Sequence, residues 1–254
     1  MTTYSCVSEE ANQVSMHNTI AERLQTAYRA LAEIQPPSGA TVQLIAVSKT
    51  KPVNDIEQAY LAGQRLFGEN YVQELAAKAQ ALATLPGLLW HFIGPLQSNK
   101  TRDVAMYADV VHSVDRLKIA ERLSAQRPAG KAPLQVLLQV NISLEASKSG
   151  VLPQDVLPLA RQVAALPNLE LAGLMAIPAP AVDGDNQQAF AAMQQLSQQL
   201  QTEFPQANQL SMGMSDDWQQ AVLFGATMIR LGTAIFGSRT AQADNGTATN
   251  DTSV

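Results

Sequence analysis

The sequence predicts an α/β protein folded as a single (β/α)8 TIM-type barrel with an extra N-terminal helix. Three observations support this. Eight short apolar runs rich in β-branched residues alternate with longer amphipathic stretches, the pattern of βαβ units built around a parallel sheet. The length, 254 residues, is close to the ~250 that eight such units need when the sheet closes on itself. No internal repeat or linker divides the chain. A doubly wound open sheet is the alternative arrangement of the same units.

Residues 1–8 are polar and are expected to be disordered. From Glu9 to Ile34 the apolar positions Ile20, Leu24, Ala27, Leu31 and Ile34 recur at helical spacing, and Pro36-Pro37-Ser38-Gly39 ends that helix. Strands are expected at Val42–Ser48, Arg65–Gly68, Trp90–Gly94, Val110–Val114, Gln135–Ile142, Glu170–Ile177, Gln209–Met212 and Thr227–Leu231. Arg65–Gly68 and Gln209–Met212 carry the weakest signal because they are short. Between the strands, helices are expected at Asn54–Ala62, Tyr71–Ala83, Arg116–Gln126, Gln154–Ala165, Gln187–Phe204 and Asp216–Phe224. One domain therefore spans residues 9–239. The tail, 240–254, has almost no apolar content and is expected to be disordered.

Composition narrows the function. Hydrophobic residues at 46% and charged residues at 15% fit a soluble globular protein. A net charge of −5 without a basic block argues against nucleic acid and anionic membranes as partners. Cys6 is the only cysteine, so no intrachain disulfide or zinc-binding pair is available. His17, His91 and His112 are scattered without metal-ligand spacing. Neither a secretory signal nor a membrane-spanning apolar run is present. The expectation is a metal-free cytoplasmic protein.

Barrels of this kind place chemistry where strands end on the C-terminal face. Strand one ends at Ser48-Lys49-Thr50-Lys51. Lys49 follows an apolar run, which predicts a partly desolvated amine at the rim, suited to attack on a carbonyl. Loops after strands seven and eight often bind phosphate. Here they carry Gly213 and Ser215, with Ser215 expected as a helix N-cap, and Gly232 and Thr233, a glycine for close backbone approach beside a hydroxyl donor. Each has an ordinary reading as a cap or turn residue. Together with Lys49 they point to an aldehyde bearing a phosphate. Arg230 reads as a ligand contact or a structural ion pair, Asn70 as a cap, and His91 as a core histidine. Met175, Met212 and Met214 read as core packing.

Seven segments in order then carry a resemblance: AVSKTKP (46–52), FGENYVQE (67–74), WHFIGPLQSNK (90–100), SKSG (147–150), GLMAIP (173–178), SMGMSDD (211–217) and RLGTAIFG (230–237). The chain closely resembles the pyridoxal phosphate homeostasis proteins from about Ile20 to Arg239. The resemblance implies that Lys49 holds pyridoxal 5′-phosphate as a Schiff base. It implies that Ser215, Gly232 and Thr233 bind the phosphate, that Arg230 faces the pyridine nitrogen, and that Asn70 and His91 lie beside the cofactor. Lys51, Lys100 and Lys148 match further lysines near the site; Lys51 and Lys148 are assigned to cofactor transfer, with solvated surface lysines as the alternative. For Lys51 the added argument is its two-residue spacing from Lys49, which along a strand puts both side chains on one face.

The family shares its fold with the N-terminal barrel of alanine racemases. An arginine at the pyridine nitrogen does not favour the protonated ring and weakens the cofactor as an electron sink. Those racemases take a second base, a tyrosine, from a separate C-terminal β domain, and only 15 residues follow Arg239. The expected protein is therefore a carrier with no catalytic residue. It captures the cofactor, shields the cell from free aldehyde and releases it to apo-enzymes, acting as a monomer. The alternative is an amino-acid racemase of low efficiency with Lys49 as one base.

Overall fold

All eight apolar runs form strands: β1 (Gln43–Val47), β2 (Leu66–Glu69), β3 (Leu89–Phe92), β4 (Val110–Val114), β5 (Leu134–Val140), β6 (Leu169–Ala176), β7 (Gln209–Ser211) and β8 (Met228–Leu231). Neighbours run parallel throughout. β8 returns to β1, pairing Gln43 with Met228, Leu44 with Ile229, Ile45 with Arg230 and Ala46 with Leu231. The sheet is thus a closed barrel in sequence order, which excludes the open-sheet alternative. The two short runs are real strands, kept in register by neighbours on both sides. The computed structural model describes residues 19–37, 39, 41–145, 148–179 and 186–238. The two termini expected to be disordered, and the first residues of the helix expected from Glu9, lie outside the described residues.

Helices α1 (Ile20–Ala32), α2 (Val53–Leu61), α3 (Val72–Ala81), α4 (Thr101–Tyr107), α5 (Leu117–Gln126), α6 (Val156–Ala164), α7 (Gln187–Glu203), α8 (Trp218–Leu223) and α9 (Thr233–Phe236) connect and cover the strands. α1 starts at a capping box in which the Thr19 hydroxyl accepts from the Glu22 amide and the Glu22 carboxylate accepts from the Thr19 amide. It ends at Ala32 rather than Ile34, because residues approaching Pro36 are steered away from helical angles. α4 was not anticipated. It is short, follows a 3-10 turn over Ser98–Lys100, and buries only Thr101, Val104 and Ala105, too few apolar positions to establish a period.

Alternation along the strands separates two interiors. On β3, Trp90 and Phe92 join the apolar layer beneath the helices, as do Ala46, Phe67 and Leu231 on other strands. His91, between Trp90 and Phe92, faces the opposite way, into the barrel. Inside lies a small cluster of Val110, Leu137, Ala172 and Met175, with Val110 on the same β4 face as His112. The barrel lumen is therefore apolar in part and polar in part. Met175 and Met212 are fully buried, as expected of core residues, whereas Met214 is exposed.

A bulge between β5 and β6 lets the sheet curve: Val136 pairs with Leu171 and Leu137 with Gly173, leaving Ala172 as the extra residue. Gly173 sits at φ +152, and a Cβ there would lie 1.8 Å from the Gln209 carbonyl oxygen. Gly173→Ala should destabilise the fold by about 2–4 kcal/mol. Gly63→Ala, also at positive φ but with nothing within 4 Å of the added carbon, should cost only about 1 kcal/mol. Urea midpoints at constant m-value check the ranking.

Candidate functional site

Lys49 leaves β1 in a turn whose next residue, Thr50, has φ +62. A β-capable threonine holds that angle only if its neighbours over-determine it, and they do. On one side of Lys49 the buried Ser48 hydroxyl donates to Glu69 Oε1 at 2.6 Å. On the other, the Thr50 amide donates to Glu74 Oε2 at 2.7 Å. Lys78 joins the two carboxylates, 2.8 Å from Glu69 and 2.7 Å from Glu74, and donates to the Ser48 carbonyl at 2.8 Å. The Lys49 side chain itself is exposed. This corrects the expectation of a partly desolvated amine: the strand stops at Val47, so Lys49 projects from a turn and not from the strand wall.

Burial raises the Glu69 carboxyl above its ordinary range, opposed by Lys78 and Ser48. Its second oxygen, Oε2, is buried without a partner.

A second polar group runs across the lumen. Arg230 on β8 is buried, with Nη1 donating to the Ser211 hydroxyl at 2.6 Å and Nη2 to the Ala176 carbonyl at 3.0 Å. Ser211 Oγ lies 2.9 Å from His112 Nδ1, and His112 Nε2 lies 2.9 Å from His91 Nδ1. The chain thus links β8, β7, β4 and β3. Burial pushes the Arg230 guanidinium down to about 10, helped back by Asp217, so it stays charged at neutral pH. No salt bridge forms on it among the described residues, so the structural ion-pair reading of Arg230 gives way to a hydrogen-bonding role. Burial also lowers His91 to about 3 and, with His91 and Arg230 nearby, lowers His112 well below its usual value. Both rings are neutral. Among the described residues, His91 Nε2 and Asn70 Oδ1 are buried without partners.

The two expected anion loops lie beside this group. The Arg230 amide donates to the Gly213 carbonyl, tying the loop after β7 to β8. Gly213 is at φ +90, with Ala221 and Trp218 where a side chain would go. Ser215 is exposed in a turn and is not the N-cap: α8 begins at Trp218 with Asp217 before it. Asp217 turns inward instead, its Oδ1 accepting from the Met214 amide at 2.7 Å and its Oδ2 from Asn186 at 2.9 Å. That starts the helix two residues later and leaves the Ser215 hydroxyl outside the capping arrangement. Gly232 precedes α9, where an added Cβ would lie 3.5 Å from the Val47 carbonyl oxygen, and Thr233 opens that helix, exposed.

Lys51 points elsewhere. Its ammonium donates to the carbonyls of Phe236, Gly237 and Ser238 at 3.1–3.2 Å, capping the end of α9. The strand-spacing argument for Lys51 fails, since β1 ends four residues earlier. Lys148 lies in the loop after β5, half-buried and 3.9 Å from Glu145; Ser147 of the same motif lies outside the described residues. Lys100 ends the 3-10 turn before α4. Asn70 is not a cap, because Tyr71 occupies that position.

The structure thus gathers Lys49, Arg230, Gly232 and the Gly213–Ser215 loop around the β7–β8–β1 sector, with His91 and Asn70 on β3 and after β2. Ser48, Glu69, Glu74, Lys78, His112 and Ser211 were missed from sequence. A groove of about 600 Å3 lies at the other end of the barrel, lined by Gln43, Gln194, Gln201 and Gln209 among others. None of the residues lining it is titratable. Among the described residues, no cluster of metal-ligating side chains occurs, and no helix is long and apolar enough to cross a membrane.

Residues 21–240 match the family model described as alanine racemase, N-terminal domain. Among curated proteins, the chain is 54% identical over 226 residues to the pyridoxal phosphate homeostasis protein of Pseudomonas aeruginosa, covering 87% of this chain and 96% of that one. It is 52% identical over 231 residues to that of Pasteurella multocida, covering 89% and 98%. Among solved structures, PipY of Synechococcus elongatus with pyridoxal phosphate bound aligns at TM-score 0.75 and 42% identity, covering 86% of this chain and all of that one. An alanine racemase from Corynebacterium glutamicum shares the fold at TM-score 0.62 and 16% identity, covering 89% of this chain and 64% of that one.

Two predictions follow from the geometry. Both histidines stay neutral when folded, while histidines in the unfolded chain protonate near 6.5. The unfolded state therefore takes up more protons as pH falls, and stability drops between pH 6.5 and 5 by up to about 1.4 kcal/mol per pH unit for each ring. Urea unfolding at pH 7, 6 and 5 should show this slope, and His91→Asn should remove about half of it. Separately, Glu69→Leu leaves the Lys78 ammonium buried with only the partly exposed Glu74, and should cost ~3 kcal/mol; calorimetry of the variant checks the loss.

Proposed function

The chain belongs to the pyridoxal phosphate homeostasis protein family and carries its alanine racemase N-terminal domain, and on that premise we propose that it holds pyridoxal 5′-phosphate on the amine of Lys49 and serves as a reservoir that releases it to apo-enzymes. One observation carries the reading: an exposed amine held in a turn that is pinned on both sides by a buried ionic network.

The residues present fit the cofactor. When bound, it supplies an aldehyde carbon with which a neutral amine condenses with loss of water. The chain's own groups supply the rest. Gly232 and Thr233, with Ser215 on the neighbouring loop, offer backbone and hydroxyl donors for the phosphate. Arg230 presents a guanidinium that stays charged at neutral pH, already oriented by Ser211 and the Ala176 carbonyl, for the pyridine nitrogen. His91 and Asn70 each keep an unpartnered buried atom for the ring.

Release is favoured by the openness of the mouth: Lys49, Ser215 and Thr233 are all exposed, so no described segment has to move for the ligand to leave. On this reading Lys51 acts on transfer indirectly, by holding the end of α9 and with it the Gly232–Thr233 loop, while Lys148 stands within reach of solvent for contact with leaving cofactor. The protein is taken to work as a monomer in the cytoplasm.

Purified protein incubated with pyridoxal 5′-phosphate should turn yellow, and borohydride should fix the cofactor irreversibly to Lys49. Lys49→Ala should show neither band nor adduct while keeping the wild-type melting temperature. A colourless wild-type protein removes the proposal. Incorporation of solvent deuterium into alanine should not exceed that with free cofactor; faster exchange would favour the racemase reading instead.

A further inference from the structure

We propose that Arg230, Ser211, His112 and His91 form a one-way hydrogen-bonded chain across the barrel that presents the Nε2–H of His91 as a fixed, neutral donor to an acceptor atom of the bound ligand. The inference goes beyond the functional reading in assigning roles to His112 and Ser211, and depends on it only for the identity of the ligand.

The direction follows from counting protons. The guanidinium of Arg230 has no acceptor, so Nη1 must donate to Ser211 Oγ. Among the described residues Ser211 Oγ has one other partner, His112 Nδ1 at 2.9 Å. If the hydroxyl donates there, His112 carries its proton on Nε2 and donates it to His91 Nδ1 at 2.9 Å. His91 must then carry its own proton on Nε2, the atom left buried without a partner. That arrangement leaves one polar atom unsatisfied. Reversing it leaves two, the Ser211 hydroxyl proton and the His91 Nε2 lone pair, and each unsatisfied buried group bears a full desolvation cost.

Adding a proton to either ring is opposed by burial, and at His112 also by His91 and the Arg230 guanidinium. The single orphan of the favoured arrangement is thus a donor, and it selects an acceptor: an anionic oxygen or an unprotonated nitrogen of a ligand, never an ammonium. Ser211 and His112 are positioning residues here. They transmit the orientation set by Arg230 to a ring on the far strand.

The test uses the full chain labelled with 15N-histidine, first without ligand. Long-range 1H–15N correlation reads tautomers directly, and His91 and His112 should both appear as the neutral Nε2–H form at pH 7. Either ring in the Nδ1–H form, or protonated, overturns the proposal without reference to any cofactor. Pyridoxal 5′-phosphate is then added: the His91 Hε2 resonance should move downfield. Ser211→Ala should mix the tautomers and weaken binding roughly tenfold, and Ser211→Thr, which restores the hydroxyl, should recover both. Wild-type affinity in Ser211→Ala overturns the ligand contact. Expected tautomers in a wild-type chain that takes up no pyridoxal phosphate uphold the chain's polarity and refute the functional reading.

Discussion

Closure of the sheet by β8 against β1 is the constraint from which the site derives. Four backbone pairs, from Gln43–Met228 to Ala46–Leu231, bring together segments from opposite ends of the chain. Only through that seam does the Lys49 turn stand beside Arg230 and Gly232, and only through it does Lys51 reach the carbonyls that end α9. Loop-closure entropy makes such a contact late and slow to form. The Lys49 turn and the Gly232–Thr233 loop therefore come together only when the barrel closes.

The lumen shows how the barrel divides stability from recognition. Part of it is an ordinary apolar cluster of Val110, Leu137, Ala172 and Met175. Another part buries a guanidinium, a hydroxyl and two imidazoles in one chain. Replacing these with leucine or valine would suit the fold, since buried polar groups seldom add net stability. They are tolerated because the chain's members satisfy one another, and among the described residues His91 Nε2 is the one side-chain atom of the chain left buried without a partner.

The strand pattern was legible because parallel strands covered by helices read as apolar runs of the right length and number. Strand ends came within a few residues, and with them Lys49, Arg230 and the two loops. What the sequence did not reveal is the supporting cast. Glu69 and Lys78 form an ion pair across β2 and α3, and nothing in local spacing announces that a lysine on a helix will turn under the sheet edge. Glu74 and Lys78 stand four apart on one helix and were readable as a surface pair; the burial of Lys78 was not. His112 sits in an unbroken buried strand, where alternation has no polar face to mark it. Ser215 misled because a serine before two aspartates resembles a cap, whereas Asp217, committed to Met214 and Asn186, sets the helix start.

The contact between α1 and α9 bears on how the chain is strung. Arg23 donates from its side chain to the Ile235 carbonyl, so the first and last described helices touch across the outside of the seam. The barrel's circuit is then indifferent to where the polypeptide is cut. Joining α9 to α1 directly by a short linker and opening the chain at the exposed Gly130 turn, where even an added Cβ meets nothing within 4 Å, would give a circular permutant with β8 preceding β1 in sequence. In such a molecule the Lys49 turn and the Gly232–Thr233 loop would be made by neighbouring stretches of sequence, so the seam between β8 and β1 would become a short-range contact while its geometry is kept.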